Sequence, residues 1–175
     1  LMASEALKTD ARTLRQGVRN LNDGLSMLNV ADGAIAEQTS IVGRMRELAM
    51  QSATGTIGIT ERQTANLEFR AIRNEMSRIA KTTEFNGLKV LHGDLSSSAS
   101  KTIVLQLGLN SNDVNRININ REVNISSTSA DNLGLNLLSI ADKNNAVKAV
   151  QNIKLVTQKL SDVRARIGAS QSRLS

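Results

Sequence analysis

The 175-residue chain contains no cysteine, no proline, no tryptophan and no tyrosine, and it has two phenylalanines and one histidine. The absence of cysteine excludes disulfides, thiol nucleophiles and cysteine-based zinc sites, and a single histidine, His92, excludes a histidine-rich metal site. No apolar run approaches the roughly 18 residues that a membrane-spanning helix needs. We therefore expect no catalytic residues, no cofactor, no metal and no membrane partner.

The positive charges are spread along the chain rather than gathered in one patch. The formal net charge is +6, which on its own would favour a nucleic-acid partner. Lysine and arginine are interspersed with aspartate and glutamate, however, and the aromatic residues that could stack on bases make up 1% of the chain. We therefore expect a solvated surface of mixed charge and no nucleic-acid binding.

The first part of the chain has the apolar pattern of a long helix with one narrow contact face. Apolar residues recur there at alternating spacings of four and three, at Leu7, Ala11, Leu14, Val18, Leu21, Leu25 and Leu28. This heptad pattern predicts a helix over about residues 1–52 that packs against a partner helix. Asp32 occupies the next expected position and the apolar stripe resumes from Ala31, so we expect a stammer in the repeat at that point.

Two further segments predict helices with the same apolar spacing. One covers about residues 60–83 and begins at a capping box from Thr60 to Gln63, and the other covers about residues 142–174. A helix with one apolar seam cannot bury that seam alone, so the three helices should pack together. The seam residues that we expect to be buried are Leu14, Leu21, Leu25, Phe69, Ile72, Ile153 and Leu160.

The segment between the second and third helices, about residues 84–136, predicts a region of strands and loops. Its β-like stretches are residues 88–91, 102–107 and 114–119, and a polar turn at 110–113 joins the last two as a hairpin. The predicted fold is therefore mainly α, an elongated antiparallel three-helix rod that resembles a coiled coil, with a small β-hairpin region.

No pattern in the sequence indicates catalysis. Carboxylates such as Glu47 and Glu68 fall on predicted helices among basic residues, which is typical of solvated helix faces rather than of an acid–base pair. His92 falls in a predicted turn, where a role in a catalytic triad is not indicated. Composition and spacing alone indicate an elongated helical interaction protein and not an enzyme.

Three stretches of the chain resemble bacterial flagellin. They are LNDGLSML at 21–28 followed by ADGA at 31–34, RMRELAMQS at 44–52, and EFNGLKVL at 84–91. Their order and spacing match the family, and the resemblance extends over essentially the whole chain. It implies that residues 1–175 form a single rod-like core domain, without the terminal helices that build the inner tube of the filament in full-length flagellins.

The resemblance also implies a function. Flagellins are structural subunits of the filament that drives swimming, so we expect a protein that is secreted through the flagellar export apparatus and located in the extracellular flagellum. Its expected partners are other flagellin subunits and the flagellar export and capping machinery, while this fragment alone should be monomeric. The alternatives are the related hook–filament junction protein and, from another class, a stand-alone coiled-coil adaptor.

Flagellins similar to this chain are sensed by a host Toll-like receptor, and the resemblance implies which residues take part. The family's motif places them at Arg44, Leu48 and Glu68. Arg44 and Leu48 lie one helical turn apart, so a guanidinium beside an apolar side chain could form a binding hot spot. The alternative is that Arg44 and Glu68 are ordinary surface charges and that Leu48 belongs to the core. Gly43 departs from the family's larger polar residue and could weaken binding.

Overall fold

A computed structural model describes residues 2–110 and 112–175 of the chain. Leu1, included in the first predicted helix, and Ser111, in the predicted turn, lie outside the described residues. In chain order the elements are α1 (Met2–Ala53), α2 (Ile59–Thr82), β1 (Val104–Gln106), β2 (Arg116–Asn118), α3 (Ile119–Val123) and α4 (Lys143–Leu174). Both α2 and α4 pack against α1, and both run antiparallel to it. The predicted mainly α, three-helix rod with a small hairpin is confirmed.

The seam of α1 is one uninterrupted heptad repeat. Its buried positions are 24, 28, 31, 35, 38, 42, 45, 49 and 52, which alternate by four and three without a break. The predicted stammer at Asp32 is therefore wrong. The apolar pattern points to Leu25 as the seam residue, but the seam position belongs to Gly24. Gly24 is buried, whereas Leu25 beside it is half-buried.

The amino-terminal part of α1 is exposed along its apolar stripe, contrary to the expectation of burial. The side chain of Leu14 is 51% exposed, and Leu7 and Val18 are more exposed still. Leu21 is half-buried, as is Ile72 of α2. Of the residues expected to be buried, Phe69, Ile153 and Leu160 are fully enclosed, because they face α1 along the part of the rod where all three helices overlap.

The seam of α4 has the complementary pattern and packs on α1. Buried residues recur at alternating spacings of three and four, at Ala146, Ala149, Ile153, Val156, Leu160, Val163, Ile167, Ser170 and Leu174. Polar contacts flank this seam: Arg164 donates from Nε to Oδ1 of Asp32 at 2.9 Å, and Gln171 donates to Asn29 at 2.9 Å. Both pairs join the beginning of the described seam of α1 to the end of α4, as an antiparallel arrangement requires.

The start of α2 differs from the predicted capping box. The helix begins at Ile59 with Gly58 as its N-cap, and no side chain caps it. Thr60 is thus already inside the first turn. The neighbouring turn is closed instead by Arg62, whose guanidinium donates to the carbonyl oxygens of Ser52 and Thr54 at 2.8 and 2.9 Å. This contact satisfies carbonyl groups at the end of α1 that have no partner within the helix.

The predicted hairpin is present, and it lies on α1. Strands β1 and β2 pair antiparallel with Leu105 opposite Ile117. Gly17 and Gly24 of α1 let it approach, because a Cβ at either position would lie within 3.0 Å of Leu107 or Leu105. The hairpin therefore packs on α1 at two positions where the helix carries no side chain.

The strand predicted at residues 88–91 is wrong. The segment forms turns, with a single isolated bridge between Phe85 and Leu88. Its backbone groups are occupied by contacts other than a ladder: the Lys89 amide donates to the Asp94 carboxylate at 2.8 Å, and the Leu91 carbonyl accepts from the Thr128 amide at 3.0 Å. Asn86 and Gly87 have positive φ values of 48° and 78°, which turn the chain away from an extended path.

Residues 124–142, here called the strap, run back along the rod without regular secondary structure and contact all three long helices. Their backbone groups are satisfied partly by turn hydrogen bonds, such as the one from the Leu135 amide to the Ala130 carbonyl at 2.8 Å, and partly by side chains, rather than by a ladder. The side chains that hydrogen-bond the strap are Gln38 of α1, Asn66 and Arg73 of α2, and Arg166 of α4. Among the described residues, no helix combines the length and the apolarity that crossing a membrane requires.

Candidate functional site

A groove between α1 and α2 contains the three residues that the resemblance singled out. It has a volume of about 400 Å³. Because α2 runs antiparallel to α1, residues near the end of the first helix face residues near the beginning of the second. The lining side chains are Arg44, Leu48, Gln51, Thr60, Glu61, Thr64, Ala65 and Glu68.

Arg44 stands at one wall of the groove and joins the two helices. Its Nε donates to Oε1 of Glu68 at 2.9 Å, and its Nη2 lies 2.8 Å from the same oxygen. Its Nη1 donates to Oε2 of Glu47 at 3.0 Å, one turn along α1. The hydrogen bond with Glu68, and then that with Glu47, raises the pKa of Arg44 above its usual value. The guanidinium is therefore charged and held in one orientation by two carboxylates.

The ion pair remains accessible to a partner. The Arg44 side chain is 51% exposed and that of Glu68 is 46% exposed. Exposed pairs of this kind contribute little to folding stability, because water solvates both groups and salt screens them. Their groups can thus exchange one partner for another at small cost to the fold.

Leu48 is the floor of the groove and not a projecting side chain. It is 2% exposed, and it belongs to the continuous core together with Ala65. It shares a helix face with Arg44, but its side chain is buried whereas that of Arg44 is half exposed. The burial supports the alternative in which Leu48 packs in the core, so a partner would meet mainly the polar rim above it.

Several residues of the groove were not singled out from the sequence. Glu47 lies outside the groove lining but follows Arg44 by three positions, a spacing that places the two side chains together on a helix, so this contact was recognisable from the sequence. Glu61 and Thr64 precede Glu68 by seven and four positions and share its helix face. Gln51 enters the groove from α1. These contributions depend on the pairing of the two helices, which no local pattern reveals.

The groove has the chemistry of a recognition surface. It offers one guanidinium, two carboxylates at Glu61 and Glu68, and the hydroxyl groups of two threonines. Such a set can donate to and accept from a polar protein partner, and it contains no cysteine or histidine nucleophile or base. Among the residues that the structure describes, no group of three or more His, Cys, Asp or Glu side chains could hold a metal ion.

Comparison with known proteins decides the family. Residues 1–96 match the family model described as the bacterial flagellin N-terminal helical region. The chain belongs to the bacterial flagellins. The matched part of this flagellin includes all of α1 and α2, and therefore every residue that lines the groove.

Curated flagellins from distant bacteria are similar to this one. Flagellin A of Vibrio cholerae is 43% identical over 114 residues, which cover 61% of the chain and 30% of that protein. A flagellin of Halalkalibacterium halodurans is 34% identical over 174 residues, 99% of the chain and 61% of that protein. The flagellar filament 30.7 kDa core protein of Treponema maltophilum is 30% identical over 99% of the chain and 62% of its own length. The chain thus spans less than two thirds of each of these relatives.

Solved structures share the fold of this flagellin. The crystal structure of Bacillus cereus flagellin matches with a TM-score of 0.74 and 28% identity, over 90% of the chain and 85% of that structure. FliC from Burkholderia pseudomallei matches with a TM-score of 0.67 over 86% of the chain and 99% of that structure, at 13% identity. The second likeness concerns the fold alone.

Proposed function

We propose that this chain is part of a structural subunit of the bacterial flagellar filament, which drives swimming, and that it is not an enzyme. The observation that carries the proposal is similarity over 99% of the chain to a flagellin and to a flagellar filament core protein. We further propose that residues 1–175 form a single rod-like domain. The subunit is secreted by the flagellar export apparatus, is assembled with other subunits under the capping machinery, and is located in the extracellular flagellum.

The architecture suits a filament subunit that must withstand mechanical force. Two antiparallel helices bury continuous heptad seams against each other, and this packing extends along the rod rather than around a cavity. The inward-facing residues of α1 and α4 are mostly Leu, Ile, Val and Ala. Interlocked aliphatic side chains of this kind resist bending and sliding because every displacement opens voids in a close-packed core.

We propose in addition that a host Toll-like receptor recognises the free subunit at the Arg44 groove. Arg44 and Glu68 present charged groups that are fixed in position yet half exposed, so a receptor can bind them without unfolding the rod. Leu48 contributes by holding the floor of the groove in place. In the assembled filament the same face meets a neighbouring subunit, so the receptor recognises the monomer.

Receptor binding to purified chain variants tests this site. We expect Arg44→Ala and Glu68→Ala each to weaken binding at least several-fold, because each removes half of the ion pair. Arg173→Ala is the matched control: Arg173 is an exposed arginine that pairs with Glu122 at the other end of the rod. Circular dichroism should show equal helix content for all three variants. Affinity that is unchanged in the Arg44 and Glu68 variants, or equally reduced in the control, would exclude this groove as the receptor site.

A further inference from the structure

Three pairs of neighbouring residues in this chain carry the chemistry for a spontaneous change of the backbone. Asparagine or aspartate is followed directly by glycine at Asp23–Gly24, Asp32–Gly33 and Asn86–Gly87. In such a pair the glycine amide nitrogen can attack the side-chain carbonyl carbon and close a succinimide ring, because glycine has no side chain to obstruct the approach. Which pair can react depends on how the fold holds it.

The two aspartate pairs are held in a helix. Both lie inside α1, where each backbone amide donates to the carbonyl oxygen four residues earlier. A glycine nitrogen engaged in this way cannot approach the preceding carboxyl carbon. Asp32 is held further, because Arg164 donates to both of its carboxylate oxygens. Ring closure at either pair therefore requires α1 to unwind locally.

Asn86 and Gly87 lie instead outside the helices, at the tip of a tight turn. Their φ values are 48° and 78°, and Phe85 and Leu88 exchange two backbone hydrogen bonds of 2.9 Å across them. These are the features of a type I′ turn. Both tip residues are exposed to solvent, and the Gly87 amide makes no hydrogen bond within the described part of the chain. The nitrogen that would react is thus accessible to hydroxide.

The closed turn nevertheless holds the two reacting atoms apart. In a type I′ turn the first central residue has a ψ of about 30°, the mirror value of a type I turn. For an L-residue this ψ places Cβ and the next nitrogen on nearly opposite sides of the Cα–C bond. The Gly87 nitrogen therefore lies away from the Asn86 side-chain carbonyl carbon until the turn opens.

Contacts on both sides of the tip keep the turn closed. Lys89 forms an ion pair with Glu84, which joins the two ends of the turn. Phe85 and Leu88 are half-buried and pack against the core. The two backbone hydrogen bonds can break without separating the long helices, so the turn opens while the rod stays folded.

We propose that Asn86 is a site of spontaneous deamidation whose rate is set by opening of the turn from Phe85 to Leu88. Hydroxide removes the amide proton of Gly87, and the nitrogen then bonds to Cγ of Asn86. The bond from Cγ to Nδ2 breaks, and the leaving nitrogen takes a proton from water and departs as ammonia, which regenerates hydroxide. Water then opens the succinimide ring at either carbonyl carbon and yields aspartate or isoaspartate at position 86.

Either product changes the turn. Isoaspartate routes the backbone through the former side chain and adds a methylene group, so the spacing between Phe85 and Leu88 no longer fits their two hydrogen bonds. Aspartate keeps the backbone but places a further negative charge two residues from Glu84. We therefore expect amide hydrogen exchange at Phe85 and Leu88 to become faster as the chain ages.

Mass spectrometry of the aged chain measures the reaction. Trypsin cleaves after Lys81 and Lys89, and the peptide between these two sites contains Asn86 as its single asparagine. The chain is incubated in mildly alkaline buffer, once folded and once unfolded in guanidinium chloride, and conversion of that peptide to the acid is followed with time. The tryptic peptide that begins at Asn74 is the control, because Asn74 is exposed on α2 but is followed by glutamate instead of glycine.

In the folded chain we expect Asn86 to convert at least several-fold faster than Asn74 and at least several-fold more slowly than Asn86 in guanidinium chloride. Asn86→Gln should abolish the change, because glutamine closes its larger ring much more slowly. Leu88→Ala removes an anchor of the turn and should accelerate conversion several-fold. Leu67→Ala, at an exposed residue of α2, should leave the rate unchanged.

Conversion of Asn86 no faster than that of Asn74 would exclude the site. Equal rates in the folded and unfolded chain, or no acceleration in Leu88→Ala with its helix content intact, would overturn control by the turn. The comparison of folded and unfolded chain needs no variant, so it decides the question even where Leu88→Ala does not fold.

Discussion

The substitution Gly17→Ala tests how the hairpin is held on the rod. Gly17 is buried in α1, and an added Cβ would lie under 3.0 Å from the backbone carbonyl oxygen of Leu107. That carbonyl cannot move away easily. The Leu107 amide donates to the Asn115 carbonyl at 2.8 Å, and Asn20 of α1 donates to the Gln106 carbonyl at 2.9 Å. Relief of the clash must therefore shift the strand and break a hydrogen bond.

The expected magnitude follows from a comparison with an open position. Gly33 lies on the same helix with nothing within 4 Å of its added Cβ, so Gly33→Ala should stabilise the protein by up to about 1 kcal/mol through helix propensity. Gly17→Ala gains the same propensity but adds an overpacking cost of about 1–3 kcal/mol. The difference between the two variants should therefore be about 1–3 kcal/mol in favour of Gly33→Ala. Gly24→Ala should fall between them, because its obstacle is the end of the flexible Leu105 side chain.

Urea unfolding followed by circular dichroism measures the free energy of unfolding for the three variants, and amide hydrogen exchange at Leu107 and Ile119 reports the hairpin directly. We expect faster exchange at both amides in Gly17→Ala and no change in Gly33→Ala. If Gly17→Ala were as stable as Gly33→Ala with unchanged exchange, the hairpin would not be seated on Gly17.

Two further predictions concern the seam and a helix cap. Leu28→Ala should lower the free energy of unfolding by about 2–5 kcal/mol because Leu28 is fully buried. Leu14→Ala should lower it by less than about 0.5 kcal/mol because Leu14 is exposed, and Leu21→Ala should fall between them because Leu21 is half-buried. Equal urea midpoints for the three variants would contradict the seam. Asp142 caps α4 by accepting from the Asn145 amide at 2.9 Å, and that hydrogen bond lowers the pKa of Asp142. A lowered pKa in the folded state adds stability above the usual carboxylate range, and this stability is lost as the pH falls through the folded value. Asp142→Asn keeps a capping oxygen without titrating, so it should lose less stability than the parent as the pH falls from about 5 to about 2. An equal loss in urea melts would contradict this.

The long helices were predictable because apolar spacing carries over to burial wherever a partner helix is present. The phase of the seam before Ala31 was not, and three seam positions were missed, since Gly24, Gln38 and Ser52 are buried there without being apolar. Gly24 is buried because the hairpin approaches it, and Gln38 because it donates to the carbonyls of Met76 and Thr128. Both reasons depend on residues far along the chain. The exposure of Leu14 was likewise not predictable from local sequence. An apolar residue at a seam position is buried only where another segment packs on it, and none of the described residues does so at Leu14.

The irregular parts were harder to predict because their backbone groups are satisfied by individual contacts, with side chains and with other backbone groups, rather than by a regular ladder. Residues 88–91 have the composition of a strand, yet Asp94 and Thr128 take up their hydrogen-bonding groups. The strap contains apolar residues in no helical or strand period, and arginine side chains of α2 and α4 hold it. Such contacts have no signature in local sequence.

The candidate groove was predictable in part. The resemblance selected Arg44, Leu48 and Glu68, and the antiparallel pairing of α1 and α2 brings Arg44 and Glu68 into contact. Leu48 precedes the seam residue Ala49 and is buried with it. The acidic rim formed with Glu61 required knowledge of how the two helices align.

Electron microscopy of the protein encoded by the complete gene that contains this chain tests the filament function most directly. Expression in a flagellated host that lacks its own flagellin should produce long supercoiled filaments and restore swimming. A hook–filament junction protein would leave bare hooks, and a coiled-coil adaptor would leave no surface structure at all. Either of these results, with the protein expressed and exported, would contradict the assignment of this chain to a filament subunit.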